Sequence, residues 1–228
     1  MLRKAALMIP VAIAACSSAP PVAGPQPGSE RAKLVEYLAA NRIAYEEVAA
    51  GDAILMIVPA WGARIEGAFF DDENVLWIPE NLAPSDPKEV WNKGGARTWL
   101  APEGHDKGFF FSKNWKDWNC PSAMDLGDYK PASATARGAL AFAAECGLTS
   151  NDGTAYRLRI TREVGAAPAP LSDAAKAAGV KAAGIRFAHR LKNLSDRVVD
   201  REIDLWSLIM VKGEATLIEP LVSDADAS

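Results

Sequence analysis

The sequence predicts an all-β fold of antiparallel strands preceded by one short helix, and three observations carry that expectation. Between residues 44 and 78, short runs rich in β-branched and aromatic residues are divided by the turn signals GD, PAWG and DDEN. Tyr156 to Val164 alternates cleanly, with Tyr156, Leu158 and Ile160 facing one way and Arg157, Arg159 and Thr161 the other, as a strand with one wet face requires. The same alternation returns from Ile185, where Ile185, Phe187, His189 and Leu191 share a face opposite Arg186, Ala188, Arg190 and Lys192.

Taken in order, the chain opens on a short basic segment, Met1 to Lys4, followed by an apolar run from Ala5 to Ala15 that is too short to span a bilayer as a helix. AIAAC followed by SSAP resembles the lipobox of bacterial lipoproteins. That resemblance implies a signal peptide over 1–15, a lipid anchor on Cys16 and, with Ser17 where a retention rule would look for Asp, an outer-membrane destination. Residues 17–28 hold four prolines and little that packs, so 16–28 reads as lipidated Cys and flexible tether. A single domain is expected over 29–222, with 223–228 as an acidic tail, because about two hundred residues suit one core and not two.

Within the domain, Ser29 is an N-cap candidate, Leu34, Val35 and Leu38 recur at helical spacing, and Asn41 is a plausible stop. Strands are expected over 44–48, 53–58, 63–70 and 75–78. Residues 79–93 read as loop, with a helical turn capped by Ser85 or Asp86. A strand over 139–144 precedes the one over 156–164, and 165–179 reads as a connection in which DAAKAA forms a helical turn. Asn193 to Asp196 turns the chain into a final strand over 198–211. His189, on an apolar face, reads better as a core histidine than as a ligand.

The stretch from Trp91 to Asn119 is the densest in chemistry. It holds four of the seven Trp, at 91, 99, 115 and 118, with Phe109, Phe110 and Phe111, beside Arg97, Glu103 and His105. Strand packing does not ask for so many rings among glycines and charges, whereas a flat ligand with polar edges does: rings stack on its apolar face while Arg, Glu and His bond its hydroxyls. A saccharide fits that description, and Arg64, Arg97, Trp99, Glu103, His105, Trp115 and Trp118 are the candidate carbohydrate-binding residues. A well-packed hairpin with a wet rim is the competing reading.

Net charge is −4 and no basic cluster appears, which disfavours a nucleic-acid partner. No cofactor is implied. With two histidines and no CxxC spacing, no metal site is expected. Cys120 and Cys146 are either a disulfide, worth about 3 kcal/mol as a loop closure, or two buried thiols.

Three segments in this order, Pro59 to Leu82, GGARTWLAPEG from Gly94 to Gly104, and His189 to Val211, resemble the galactose mutarotase-like superfamily of aldose epimerases and related sugar-binding β-sandwiches. The second is similar to a GGxRxWxxPE motif of a secreted branch. The resemblance implies an antiparallel β-sandwich, shortened at its C-terminus, with a sugar cleft. In that family an Arg holds the sugar while a His and a Glu act as acid and base; Arg97 matches the Arg position, and the His and Glu positions are not matched. The expectation is therefore a lipid-anchored, non-catalytic carbohydrate-binding protein. Its alternatives are an epimerase-like enzyme using Glu103 and His105, and an assembly lipoprotein whose aromatic patch binds another envelope protein.

Overall fold

A computed structural model describes residues 22–83, 90–169, 171–196, 198–199, 203–213 and 215–216. The signal segment, Cys16, the turn expected at Ser85 or Asp86, and the tail lie outside those residues. Two antiparallel sheets pack face to face. One has the order β1 (Glu46–Ala50), β2 (Ala53–Val58), β3 (Arg64–Phe70), β5 (Ala96–Ala101), β10 (Asp204–Ile209), with β4 (Glu73–Asn74) also on β3. The other has the order β6 (Lys130–Ala132), β7 (Leu140–Thr149), β8 (Ala155–Ala167), β9 (Gly184–Asn193). The expected all-β sandwich is what the chain forms.

The strand patterns follow from what covers each face. β8 buries Tyr156, Leu158 and Ile160 and exposes Arg157 and Arg159, because only one side of its sheet meets the other sheet. β7 supplies Phe142, Ala144, Cys146 and Leu148 to the same core. β2, by contrast, reads AILMIV without alternation because both its faces are covered: Leu55 and Ile57 enter the inter-sheet core, while Met56 and Val58 lie under helix α1 (Glu30–Ala40). Ser29 caps α1 by accepting from the Ala32 N–H at 3.1 Å, Asn41 ends it, and Leu34 and Leu38 pack on Met56, Val58, Trp61 and Phe69.

Four expectations change in detail. Residues 75–78 form no continuous strand; β4 stops at Asn74, whose side chain turns back to accept from the Ala68 and Leu76 N–H groups, and a single bridge joins Leu76 to Val211. The strand expected over 139–144 runs on to Thr149, since the whole of it pairs with β8. β10 is shorter than 198–211 among the described residues and does not pair with β9; it crosses to the other sheet and pairs with β5, Trp206 opposite Trp99 and Leu208 opposite Arg97. The expected tether is not free along its whole length: the Arg31 guanidinium donates to Ala23 O at 2.9 Å, and the Gln26 N–H donates to Asp72 at 2.6 Å. Helix α3 (Asp173–Ala177), capped by Ser172, is the helical turn expected in DAAKAA.

The entry into β5 sets the middle of the first sheet. Gly94 and Gly95 both have positive φ, 79° and 64°, and a Cβ on Gly95 would stand 2.3 Å from Ile65 O. That close approach lets the Gly95 N–H donate to Trp77 O at 2.8 Å while Gly95 O accepts from the Met210 N–H at 3.0 Å. Gly95→Ala, which meets both the strained φ and the clash, is expected to cost about 3 kcal/mol, read from the shift of the urea midpoint at constant m-value.

Candidate functional site

β5 is polar on both faces, and each face builds something different. Inward, Thr98 Oγ1 meets His189 Nε2 at 3.2 Å across the sandwich, and Arg162 of β8 reaches over to donate to Gly62 O at 2.9 Å and Ala96 O at 3.3 Å. His189 is half-buried between the sheets, its Nδ1 enclosed without a partner; burial, with Arg162 near, pulls its pKa down to about 4, so it is neutral at ordinary pH.

The outward face carries Arg97 and Trp99, with Trp206 and Leu208 beside them on β10. The ring-rich segment folds back over this face. Trp99 lies 4.9 Å from Phe110, 5.6 Å from Trp91, and 6.2 Å from both Trp118 and Trp206, centroid to centroid. Arg97 packs into the corner made by two of these rings, its guanidinium carbon 3.9 Å from the Trp99 centroid and 4.9 Å from that of Trp91. It is only 5% exposed, and its Nε and Nη1 are enclosed without a hydrogen-bond acceptor. Burial, with Arg64 near, pulls its pKa down to about 10.

Short helix α2 (Ser122–Asp125) fastens the segment in place. It lies along β5 where β3 has diverged, and the Leu100 N–H there points to Met124 Sδ at 3.3 Å. Asp125 Oδ1 accepts from Arg64 Nη2 at 2.7 Å and from Trp99 Nε1 at 2.8 Å, all three side chains being buried. Arg64 also donates to Gly94 O and Trp91 O. Behind it stands Glu66, left without a Cα partner where the β2–β3 register shifts between Met56 and Ile57. Both Glu66 oxygens are enclosed without a donor, and burial pushes its pKa up to about 8 against the pull of Arg64 and Lys93. Lys93 is buried too, giving its ammonium to Leu82 O and standing 5.2 Å from the Trp61 centroid.

The predicted site residues therefore divide. Arg97, Trp99, Trp118 and Glu103 come together, Glu103 through its 2.6 Å hydrogen bond from Trp118 Nε1. Arg64 joins them through Asp125. Trp99 is 2% exposed, a wall of the core and not a free stacking platform. Trp115 is 68% exposed and leans on Phe111 at 4.4 Å, outside the Trp99 cluster. His105 lies in an exposed loop at φ 60°, its Nδ1 accepting from the Lys107 N–H, its carbonyl accepting from the Asn151 side chain. The disulfide reading is corrected: Cys120 and Cys146 are free thiols. Cys146 faces the inter-sheet core from β7, whereas Cys120 sits in the field of Asp125 and Arg97; burial raises both thiols, Cys146 to about 11. Sequence reasoning missed Asp125 and Trp206. Asp125 meets Arg64 across 61 residues of chain, a pairing no local pattern shows, whereas Trp206 is signalled by its place in the alternation of the last strand.

Two grooves of about 450 and 550 Å³ flank the start of α1, sharing Glu30, Lys33 and Lys212. None of their lining residues has an enclosed polar atom without a partner; such atoms occur instead on Arg64 and Glu66 of β3, Arg97 of β5 and Asp125 of α2, and, from the facing sheet, on Arg162 and His189. No group of three or more His, Cys, Asp or Glu able to hold a metal occurs among the described residues.

Fold and site define a two-sheet antiparallel β-sandwich, with a helix over one outer face and, on the same sheet, a buried arginine packed against indole rings. Residues 32–225 match the model of a family of unknown function, DUF6786, and the chain belongs to that family. Neither a curated protein nor a solved structure matches it.

Two outcomes follow from the buried charges. Asp125→Ala strands Arg64 and the Trp99 indole, and should cost about 3–5 kcal/mol in chemical denaturation, with near-UV circular dichroism of the Trp cluster altered. Glu66 binds its proton more tightly folded than unfolded, so its contribution is complete below the unfolded carboxylate pKa and is lost as pH rises through about 8. The wild type should therefore lose up to about 1.4 kcal/mol per pH unit from this group across that window, and Glu66→Gln should flatten the slope of stability against pH.

Proposed function

We propose that this protein is a non-catalytic saccharide-binding sandwich held at the bacterial envelope by a lipid on Cys16. The observation that carries the binding reading is Arg97, packed on the adjoining Trp91 and Trp99 rings with its Nε and Nη1 unpaired, beside the half-buried Trp118 and Glu103 and the 39%-exposed Trp206. Indole faces next to a charged donor suit a sugar ring, whose C–H face stacks while its hydroxyls take the hydrogen bonds. The site moves relative to the sequence expectation: Trp118 and Trp206 at the surface of the cluster take the stacking role, Trp99 supports Arg97 from behind, and Trp115 and His105 drop to the periphery. The mutarotase-like resemblance supports the same ligand class.

Binding is favoured over epimerase chemistry because the two candidate groups have different settings, Glu103 bonded to Trp118 in the ring cluster and His105 in an exposed loop with Nδ1 on the Lys107 N–H. An envelope-protein partner is the second reading, motivated by Trp206, Ile209 and Val211, which leave apolar surface along the β10 side of the sheet.

Intrinsic fluorescence separates the two, since the indoles are the reporters. A saturable change with one class of mono- or oligosaccharide is expected, reduced about tenfold or more in affinity by Trp206→Ala with the melting temperature unchanged. A folded protein silent across the saccharide panel would move the weight to a protein partner. Radiolabelled palmitate incorporated by the wild type and not by Cys16→Ala would establish the anchor.

A further inference from the structure

We infer that the ligand of the Arg97 surface carries a carboxylate, so that the saccharide is an acidic sugar such as a uronic acid and not a neutral hexose. The inference rests on the saccharide reading above and adds the charge of the ligand to it.

The interior around β3 and β5 is short of negative charge. Arg64, Lys93, Arg97 and Arg162 are all buried, and the carboxyl groups enclosed with them are Asp125 and Glu66. Asp125 gives Oδ1 to both Arg64 and Trp99; its Oδ2 is enclosed without a donor, and its field reaches Arg97 without any hydrogen bond to the guanidinium. Glu66 is held largely protonated at neutral pH by its burial, so it supplies little counter-charge. Arg162 and Lys93 are compensated in part by backbone carbonyls, those of Gly62, Ala96 and Leu82. Among the described residues the Nε and Nη1 of Arg97 have no such acceptor, and its guanidinium packs on the Trp91 and Trp99 rings.

Ring faces do not substitute for an anion. Cation–π contact with a desolvated guanidinium is worth about 2 kcal/mol, whereas leaving a charge buried and uncompensated costs several kcal/mol. Glu103, the rim carboxylate whose field reaches Arg97, spends Oε1 on the Trp118 indole and makes no ion pair with the guanidinium. A sugar hydroxyl would satisfy an N–H of Arg97 without neutralising its charge. A carboxylate does both, and its two oxygens match the planar fork of a guanidinium.

The test uses the full chain and matched pairs of methyl glycosides and methyl uronides in gluco, galacto and manno configuration, followed by Trp fluorescence, with acetate as the bare anion. In at least one pair the uronide should bind about tenfold or more tightly than its neutral partner, and added NaCl should narrow the gap. Arg97→Gln should remove the preference while keeping residual binding of the neutral glycoside, and Arg97→Lys, which keeps the charge but not the fork, should retain part of it. Because the preference and its salt dependence are read in the wild type, the result stands even if an Arg97 variant fails to fold. Equal affinity within every pair, or preference for the neutral sugar, would overturn the acidic ligand and leave the saccharide reading in place. Silence across all pairs would overturn both. Acetate binding as tightly as the uronide would show that the rings contribute nothing, overturning the saccharide and leaving a simple anion site.

Discussion

A single carboxylate oxygen joins the halves of this protein's chemistry. Asp125 Oδ1 receives Arg64 from β3 and the Trp99 indole from β5, and so ties the ring-rich segment to the sheet it covers. Were α2 to lift away, Leu100 would lose its partner at the edge of β5, and the Trp99 indole that lies against Arg97 would lose its acceptor. Buried ion pairs add little net stability compared with apolar packing of the same shape, but they penalise every arrangement that leaves one partner alone. That asymmetry suits a segment of loops and single helical turns, with little regular hydrogen bonding of its own, which must nevertheless present Trp118 and Glu103 at one place.

Much of the fold was legible because periodicity reports burial. β8 and β9 announce one wet face, and α1 carries both caps in its sequence. β2 was legible as a strand though not as a doubly covered one; AILMIV reads the same whether the second face meets a sheet or a helix. β10 could not be assigned to its sheet, since nothing in its sequence says whether a strand after a tight turn stays with its neighbour or crosses, and here Trp206 and Leu208 extend the outer face of β5.

The candidate site was legible in composition and not in geometry. An excess of Trp beside Arg97 and Glu103 marks the region, yet exposure decides roles, and exposure depends on which strand face each ring takes. Trp99 falls on the face that α2 and the Trp91–Trp118 layer cover, while Trp115, three residues before Trp118, turns outward on a single 3-10 turn. Glu66 carried a faint signal, a lone acid inside the apolar run RIEGAFF; its isolation from any donor arises from the register shift beside it, which the run itself does not encode.

The docking of Ala23 and Gln26 onto Arg31 and Asp72 sets a limit on reach. Counted along the chain, seven residue steps separate Cys16 from Ala23, so an acyl group on Cys16 would lie within about 25 Å of the first residue the domain holds, at the extended length of a polypeptide. With the proposed lipid on Cys16, a protein so leashed would sample only a thin layer next to a bilayer. Its ligand would have to come to the membrane surface, either as a chain end growing there or as a small molecule diffusing past.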